Sequence, residues 1–240
     1  MITRIEVDGF KSLTGFKLSF VPGLNILVGP NGSGKTNIVS FFEFLGHLME
    51  AEASEATSRV GVAGAVFRRV GSDYEKRIHA RLIGCVQAME EPHHPRKKNR
   101  DARIFYCLYD YSFSLVFPDT RDKVFFEKQR LCLKRVDRFM TASEVDRETE
   151  KWGADIESEI GPDGSPVAKL REYTDSGIEL PYYLAPGVQK AHREQAIEKT
   201  LTQALASNIS LAHVICRYSF ELSPVVSDLS GGQIYNIVPS

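Results

Sequence analysis

The chain has 240 residues, 42% of them hydrophobic and 25% charged. This is close to the average for soluble globular proteins, so a core can form and wholesale disorder is excluded. Thirty Lys and Arg face 31 Asp and Glu, for a net charge of −1. No global basic excess announces a nucleic-acid binder, and any such contact has to come from a local patch. No apolar run approaches the roughly 18 residues of a membrane helix, and MITRIEVDGF lacks the apolar stretch of a signal peptide. A cytoplasmic protein of one large domain is the expectation. Cys85, Cys107, Cys132 and Cys216 are far apart and form no CxxC pair, which predicts reduced core cysteines rather than a metal site or a disulfide framework.

In chain order, Ile2, Ile5 and Val7 predict a strand, and Phe16, Leu18 and Phe20 a second. Leu24 to Val28 is a mostly apolar run, expected as a short strand buried on both faces. A Gly-rich turn follows, then a helix with Ile38, Phe41, Phe42, Leu45 and Leu48–Met49 at helical spacing. Residues 51–64 predict a loop and 65–69 a short strand. Segments 77–86, 104–116 and 124–133 alternate or are rich in β-branched and aromatic residues, which predicts an antiparallel meander. Residues 90–103 are a polar loop holding His93, His94 and the basic cluster Arg96, Lys97, Lys98, Arg100 and Arg103. Ser143 to Asp163 is acidic and predicts a solvated, partly helical excursion; Trp152 within it either anchors a partner or covers its own lobe. A helix is expected from Pro186, with Val188, Ala191, Ile197, Leu201 and Leu205 on one face and Asn208 near its end. Residues 211–218 and 234–238 predict short strands.

One motif carries chemistry. Gly29-Pro30-Asn31-Gly32-Ser33-Gly34-Lys35-Thr36 satisfies G-x-x-x-x-G-K-[ST]. The glycines let backbone N–H groups converge on anionic oxygens, and the helix that follows adds its partial positive end. Lys35 is placed to reach the β- and γ-phosphates, and the Thr36 hydroxyl to ligate Mg²⁺. ATP with Mg²⁺ is the expected ligand.

The flanks narrow the P-loop class. IEVDGFKSL, a second strand, GLNILVGPNGSGKTNIV and an apolar helix together resemble the ABC-type head of the RecF, SMC and OLD ATPase families, which begin with a strand, an aromatic-basic-Ser segment and a P-loop. Phe10, Lys11 and Ser12, and Asn31 to Asn37, are the matching positions. The resemblance is strong over about the first 50 residues. VFRRVG and the strands ending at Glu127 look like the OLD-like, AAA-type branch, several members of which serve anti-phage systems. It implies that Lys11 and Ser12 approach the nucleotide together with Asn31, Gly32, Ser33, Gly34, Lys35, Thr36 and Asn37. It also implies that two heads sandwich two ATP molecules as a homodimer, with DNA or an effector protein as possible partners and no membrane.

Leu229-Ser230-Gly231-Gly232-Gln233 spells LSGGQ, the ABC signature, but Ile234-Tyr235-Asn236-Ile237-Val238-Pro239 follows at once and is strand-like. The segment is therefore expected to be a turn. No apolar strand ends in an Asp-Glu pair of Walker B type. Gln87 and Gln129 are weak candidates for the Q-loop glutamine, which sits at the metal. The expectation is an α/β P-loop NTPase head of ABC/SMC-like type with an antiparallel β meander and a helical lobe. Residues 1–50 would form the P-loop core, 65–135 the meander and 136–210 a helical, acidic lobe, with the Walker B part beyond Ser240. An ATPase in DNA maintenance or phage defence is the first reading. The second is an ATP-dependent scaffold or sensor with little hydrolysis. The GFKSL segment and the Asn37 helix argue against a third, a P-loop kinase.

Overall fold

A computed structural model describes residues 1–89, 104–118, 123–146, 151–174, 178, 180, 184–206 and 208–231. Among the described residues there are nine strands: β1 (Ile2–Asp8), β2 (Phe16–Ser19), β3 (Arg69–Val70), β4 (Asp73–Tyr74), β5 (Arg77–Met89), β6 (Ile104–Val116), β7 (Phe125–Val136), β8 (Ala154–Ile160) and β9 (Pro166–Tyr173). The helices are α1 (Lys35–Glu50), α2 (Ala53–Val60), α3 (Ala63–Val66), α4 (Ala142–Val145), α5 (Arg193–Leu205), α6 (Leu211–Tyr218) and α7 (Ser223–Leu229). Seven strands form one sheet in the order β2-β1-β5-β6-β7-β8-β9, and β3 and β4 form a separate ribbon. Every neighbouring pair in the large sheet is antiparallel.

Alternation along the strands creates two unlike faces. One buries Ile78, Leu82, Tyr111, Phe113 and Leu131 against Phe41, Phe44 and Leu45 of α1 and Ile197 and Leu201 of α5. The opposite face is charged: Arg81 forks onto Asp110 and Arg130 onto Asp155, while Lys128 and Arg171 both contact Glu157. Its distal end holds a small second cluster of Cys85, Leu108 and Met140. The segment around α4 covers that cluster and is latched by Arg4, whose guanidinium donates to both Asp146 oxygens at 2.5 and 2.8 Å. Trp152 packs on this cluster, so it covers its own sheet.

Two side-chain devices fix the layers. The Tyr109 ring lies over Gly84, where a Cβ would sit 2.2 Å from the hydroxyl, and that hydroxyl donates to Asp228 Oδ2 of α7 at 2.5 Å. The edge strand β9 is closed by α5: Ala168 N donates to Thr202 Oγ1 and Leu170 N to Glu198 Oε1, which removes two free donors from the sheet edge.

Several elements differ from the sequence expectation. Leu24–Val28 forms no strand, and Leu24, Ile26 and Val28 are 83%, 72% and 90% exposed; among the described residues no strand runs beside them to supply a ladder or a cover. Residues 51–64 contain α2, whose Ala53, Ala56 and Thr57 make a buried helical face, and the first half of α3; α3 and a bridge at Phe67 replace the short strand of 65–69. The acidic segment 143–163 is no solvated excursion. After α4 it becomes β8, whose Asp155 and Glu157 are buried by their cations, so β8 and β9 extend the meander instead of joining a helical lobe. The helix expected from Pro186 begins at Arg193 after a 3₁₀ turn. Residues 211–218 are helical, capped by Ser210, whose side chain accepts from His213 N. Residues 90–103 and 234–238 lie outside the described residues. All four cysteines are free, and Cys85, Cys107 and Cys132 are buried.

Candidate functional site

The loop from Gly29 to Gly34 leads straight into α1. Gly34 is the N-cap with φ 90°, a left-handed conformation that glycine adopts without strain. No side chain caps α1 and its first turn holds no acidic residue, so the uncompensated N–H groups favour an anion there. Lys35 Nζ folds over the loop and donates to Gly29 O (2.6 Å) and Pro30 O (2.8 Å), with Ser33 Oγ at 3.4 Å. The loop is exposed from Gly29 to Ser33, and Thr36 is exposed at the first turn.

The structure brings Ser12 to this loop, whereas Lys11 Nζ lies over the Phe10 ring, 5.6 Å from its centroid. Asn37 Nδ2 donates to Ser12 Oγ at 2.6 Å, which ties the first turn of α1 to the segment after β1. Lys11 has φ 48°, an unusual value for a side-chain-bearing residue. Its N–H donates to Val66 O at 2.8 Å, so the segment is also fixed to the end of α3. Between these two attachments lies a cavity of about 480 Å³ lined by Lys11, Ser12, Thr14, Gly64 and Arg68, among others. Thr14, Gly64 and Arg68 were not singled out from the sequence; the only signal was the double arginine of VFRRVG. Arg68 is held by Glu75 at 2.9 Å.

Mg²⁺ would fit as a ligand shared with phosphates. Among the described residues no group of three or more His, Cys, Asp or Glu could hold a metal, whereas the exposed Thr36 hydroxyl offers one oxygen beside the anion-binding helix end. Mg²⁺ commonly takes few protein ligands and completes its shell with phosphate and water.

The other sequence candidates lie elsewhere. Gln87 is exposed on the face of β5 opposite α1, beyond Val86 and before Ala88, which point into the core. It is eight residues from His79, the partner of Asp8 at the end of β1 that leads to Lys11, or about 26 Å along the strand. Gln129 is buried in the core and structural. Its Oε1 accepts from Tyr111 Oη and Leu211 N, both at 2.7 Å, and its Nε2 donates to Ile209 O at 3.2 Å. The described part of LSGGQ closes a helix: Leu229 ends α7, and Gly231 follows Ser230 with φ 93°. A helix C-terminus presents carbonyls and partial negative charge, the reverse of what a γ-phosphate requires. His93, His94 and the basic cluster of 96–103 lie outside the described residues.

A family model described as AAA ATPase domain matches residues 1–159. The chain belongs to this family. Among curated relatives it is similar to the DNA replication and repair protein RecF of Bifidobacterium longum subsp. infantis, 37% identical over 91 residues, covering 33% of this chain and 22% of that protein. RecF of Actinobacillus succinogenes is 31% identical over 90 residues, covering 38% and 25%. The chain thus matches about a quarter or less of the length of these relatives. A solved chain from work on ATP-driven dimerization and DNA-stimulated activation of SMC ATPases aligns over 60% of this chain and 74% of its own, at 23% identity and a TM-score of 0.28. Among the described residues no helix is long and apolar enough to cross a membrane.

Proposed function

We propose that the chain is the Mg-ATP-binding part of a RecF/SMC/OLD-like head, with the phosphates at Gly29–Thr36 and the nucleoside towards the cavity beside Lys11 and Ser12. The observation that carries it is the junction of three features at one point: the uncapped N-terminus of α1, the Lys35 ammonium within reach of it, and the Ser12–Asn37 contact. Phosphate oxygens would replace the neutral carbonyls that now share Lys35, and a charged acceptor makes roughly twice as strong a hydrogen bond. Asn31, Gly32, Ser33 and Gly34 contribute backbone N–H groups, Lys35 the positive charge, Thr36 the Mg²⁺ ligand, and Lys11, Ser12 and Asn37 the side wall.

In this reading ATP works as a clamp that joins two heads, in DNA maintenance or phage defence. A ligand shifts an equilibrium only by its differential affinity for the two states, so the energy for closure comes from contacts made when a second head covers the nucleotide. A scaffold or sensor with little turnover is the alternative, favoured by one observation: among the described residues no carboxylate pair faces the loop. Binding without a water-activating group gives little acceleration. Residues 1–50 as P-loop core, with the sheet and its helices as support, is the matching domain division.

Sedimentation of the protein with and without a hydrolysis-resistant ATP analogue, beside a phosphate-release assay, tests both readings. Nucleotide-dependent dimers with turnover support the clamp ATPase. Binding without turnover supports the scaffold. No interaction with nucleotide by either method refutes both.

A further inference from the structure

The α-amino group of Met1 is held from two sides. Its nitrogen donates to Cys85 O at 2.5 Å, and Cys85 N donates back to Met1 O at 3.1 Å, so β5 holds the start of β1 as one more ladder pair. The same nitrogen lies 3.5 Å from Asp228 Oδ2 of α7. We propose that Asp228, Tyr109 and Cys85 form a binding site for the free α-ammonium of Met1, and that acylation of this amine is a modification that releases α7 from the sheet. The inference does not rest on the nucleotide reading and its test uses no nucleotide, so either can fail alone.

The site suits a cation. The Asp228 side chain is only 16% exposed. Tyr109 Oη donates to its Oδ2 at 2.5 Å, and the Tyr109 ring is itself fully buried over Gly84. Burial pushes the Asp228 carboxyl above its ordinary value, while the Met1 ammonium, the Tyr109 hydroxyl and the Ile2 amide oppose that rise. Of these three groups only the ammonium carries a charge. A carboxylate shielded from water has to be paired or else becomes neutral, and the cation paired with Asp228 is the terminal ammonium.

An acylated terminus cannot fill this role. With a thioester as the acyl donor, the ammonium first gives up a proton to water. The freed lone pair attacks the thioester carbon, the C–S bond breaks, and the thiol leaves with a second proton. The amide that results has one N–H and no charge. It can keep the bond to Cys85 O, but it leaves Asp228 without a cation and brings a carbonyl oxygen beside the carboxylate. Hydrolysis of the amide by water reverses the change, freeing the acyl group as a carboxylate.

The loss reaches α7 because this helix is seated by its last turn. Two residues beyond Asp228, Ser230 O packs against α1, where a Cβ built on Gly46 would meet it at 3.1 Å. A Cβ on Gly231 would meet Phe42 O at 3.0 Å. Both approaches need the end of α7 drawn close, and Met1 and Tyr109 draw it through one carboxylate. Releasing Asp228 therefore loosens α7 against α1 as well as against β1 and β5.

The test compares two forms of the full chain, one with a free amine and one enzymatically Nα-acetylated, each confirmed by intact mass. The acetylated form should have a Tm lower by roughly 3–6 °C, as expected in a chain of this size when a partly exposed ion pair on a buried carboxylate is broken. Amide exchange in 223–231 should speed up by about tenfold or more while β8 and β9 keep their rates. Asp228→Asn keeps the shape and removes the charge, so the two forms of that variant should differ by less than about 1 °C. If Asp228→Asn does not fold, Tyr109→Phe replaces it. With the hydroxyl gone the carboxylate depends more on the ammonium, so acetylation should lower Tm further than in the wild type, and an equal or smaller drop would overturn the inference. Equal Tm for the two wild-type forms or unchanged exchange in α7 would also overturn it. So would the same loss in Asp228→Asn, which would make the bulk of the acyl group the cause.

Discussion

Replacing Gln129 by Leu separates a nucleotide role from a structural one. The side chain is 3% exposed and makes three hydrogen bonds, to Tyr111, Leu211 and Ile209. Leucine has similar volume, so the change removes polar partners without opening a large cavity. Tyr111 Oη keeps Ser210 Oγ at 3.3 Å, but Leu211 N, the first helical donor of α6, loses the Gln129 acceptor. Lost hydrogen bonds at about 1 kcal/mol each, with a buried donor stranded at about 1–3 kcal/mol, give a cost of roughly 3 kcal/mol. For a chain of this size that lowers Tm by roughly 6–12 °C. Calorimetry without nucleotide measures the shift, and an ATP titration well below the transition should give the wild-type affinity. An unchanged Tm with lost affinity for Mg-ATP would refute the reasoning and make Gln129 a nucleotide contact.

Stability should fall with acid through the charged face. Burial alone would raise the carboxyl pKa values of Asp155 and Glu157, but Arg130 for the first and Lys128 with Arg171 for the second hold both below the usual range. A depressed folded value means that the stabilisation is present above the unfolded value of about 4 and is lost as pH falls through the depressed values; Tm at pH 7, 5, 4 and 3 should show it, and Asp155→Asn should flatten the acid limb. Burial raises the Asp228 carboxyl above its ordinary value while Tyr109 donates to it. Tyr109→Phe should therefore destabilise by about 1–3 kcal/mol, and the loss should shrink as pH falls through the raised value of the Asp228 carboxyl, because the ionised carboxylate needs the donor; a loss that grows with acid would contradict this. Ser230→Ala removes only an intrahelical bond to Val226 O, so nucleotide affinity and nucleotide-dependent association should be unchanged, and their loss would restore Leu229–Gly231 as a signature.

What the sequence revealed depended on how local the cause was. The phosphate loop and α1 were legible because glycine spacing, Lys35-Thr36 and the helical apolar stripe all act within about twenty residues. The strands of β5, β6 and β7 were legible for the same reason, since alternation is a property of each strand. β8 was missed because its acidic residues read as solvated, while their cations lie on β7 and β9, distant in sequence. Residues 211–218 look strand-like by their β-branched content, but Leu211, Val214 and Ile215 have the i, i+3, i+4 spacing of a helix and Ser210 caps it. Leu24–Val28 was the reverse case: its composition asks for burial, and burial needs neighbouring strands that the described residues do not supply. Gln87 and Gln129 show the limit at the site, because a glutamine after an apolar strand has the same local signature whether it faces solvent, core or nucleotide.

The central claim is that Lys35 and the first turn of α1 bind the phosphates of Mg-ATP. Isothermal titration of the wild-type protein and Lys35→Ala with Mg-ATP, after matching their thermal unfolding, tests it most directly. Among the described residues the side chain hydrogen-bonds to loop carbonyls and Ser33, so the variant should fold as before. The predicted result is saturable binding by the wild type and none measurable by the variant. Equal affinity in the two proteins, or no binding by the wild type, would contradict the account.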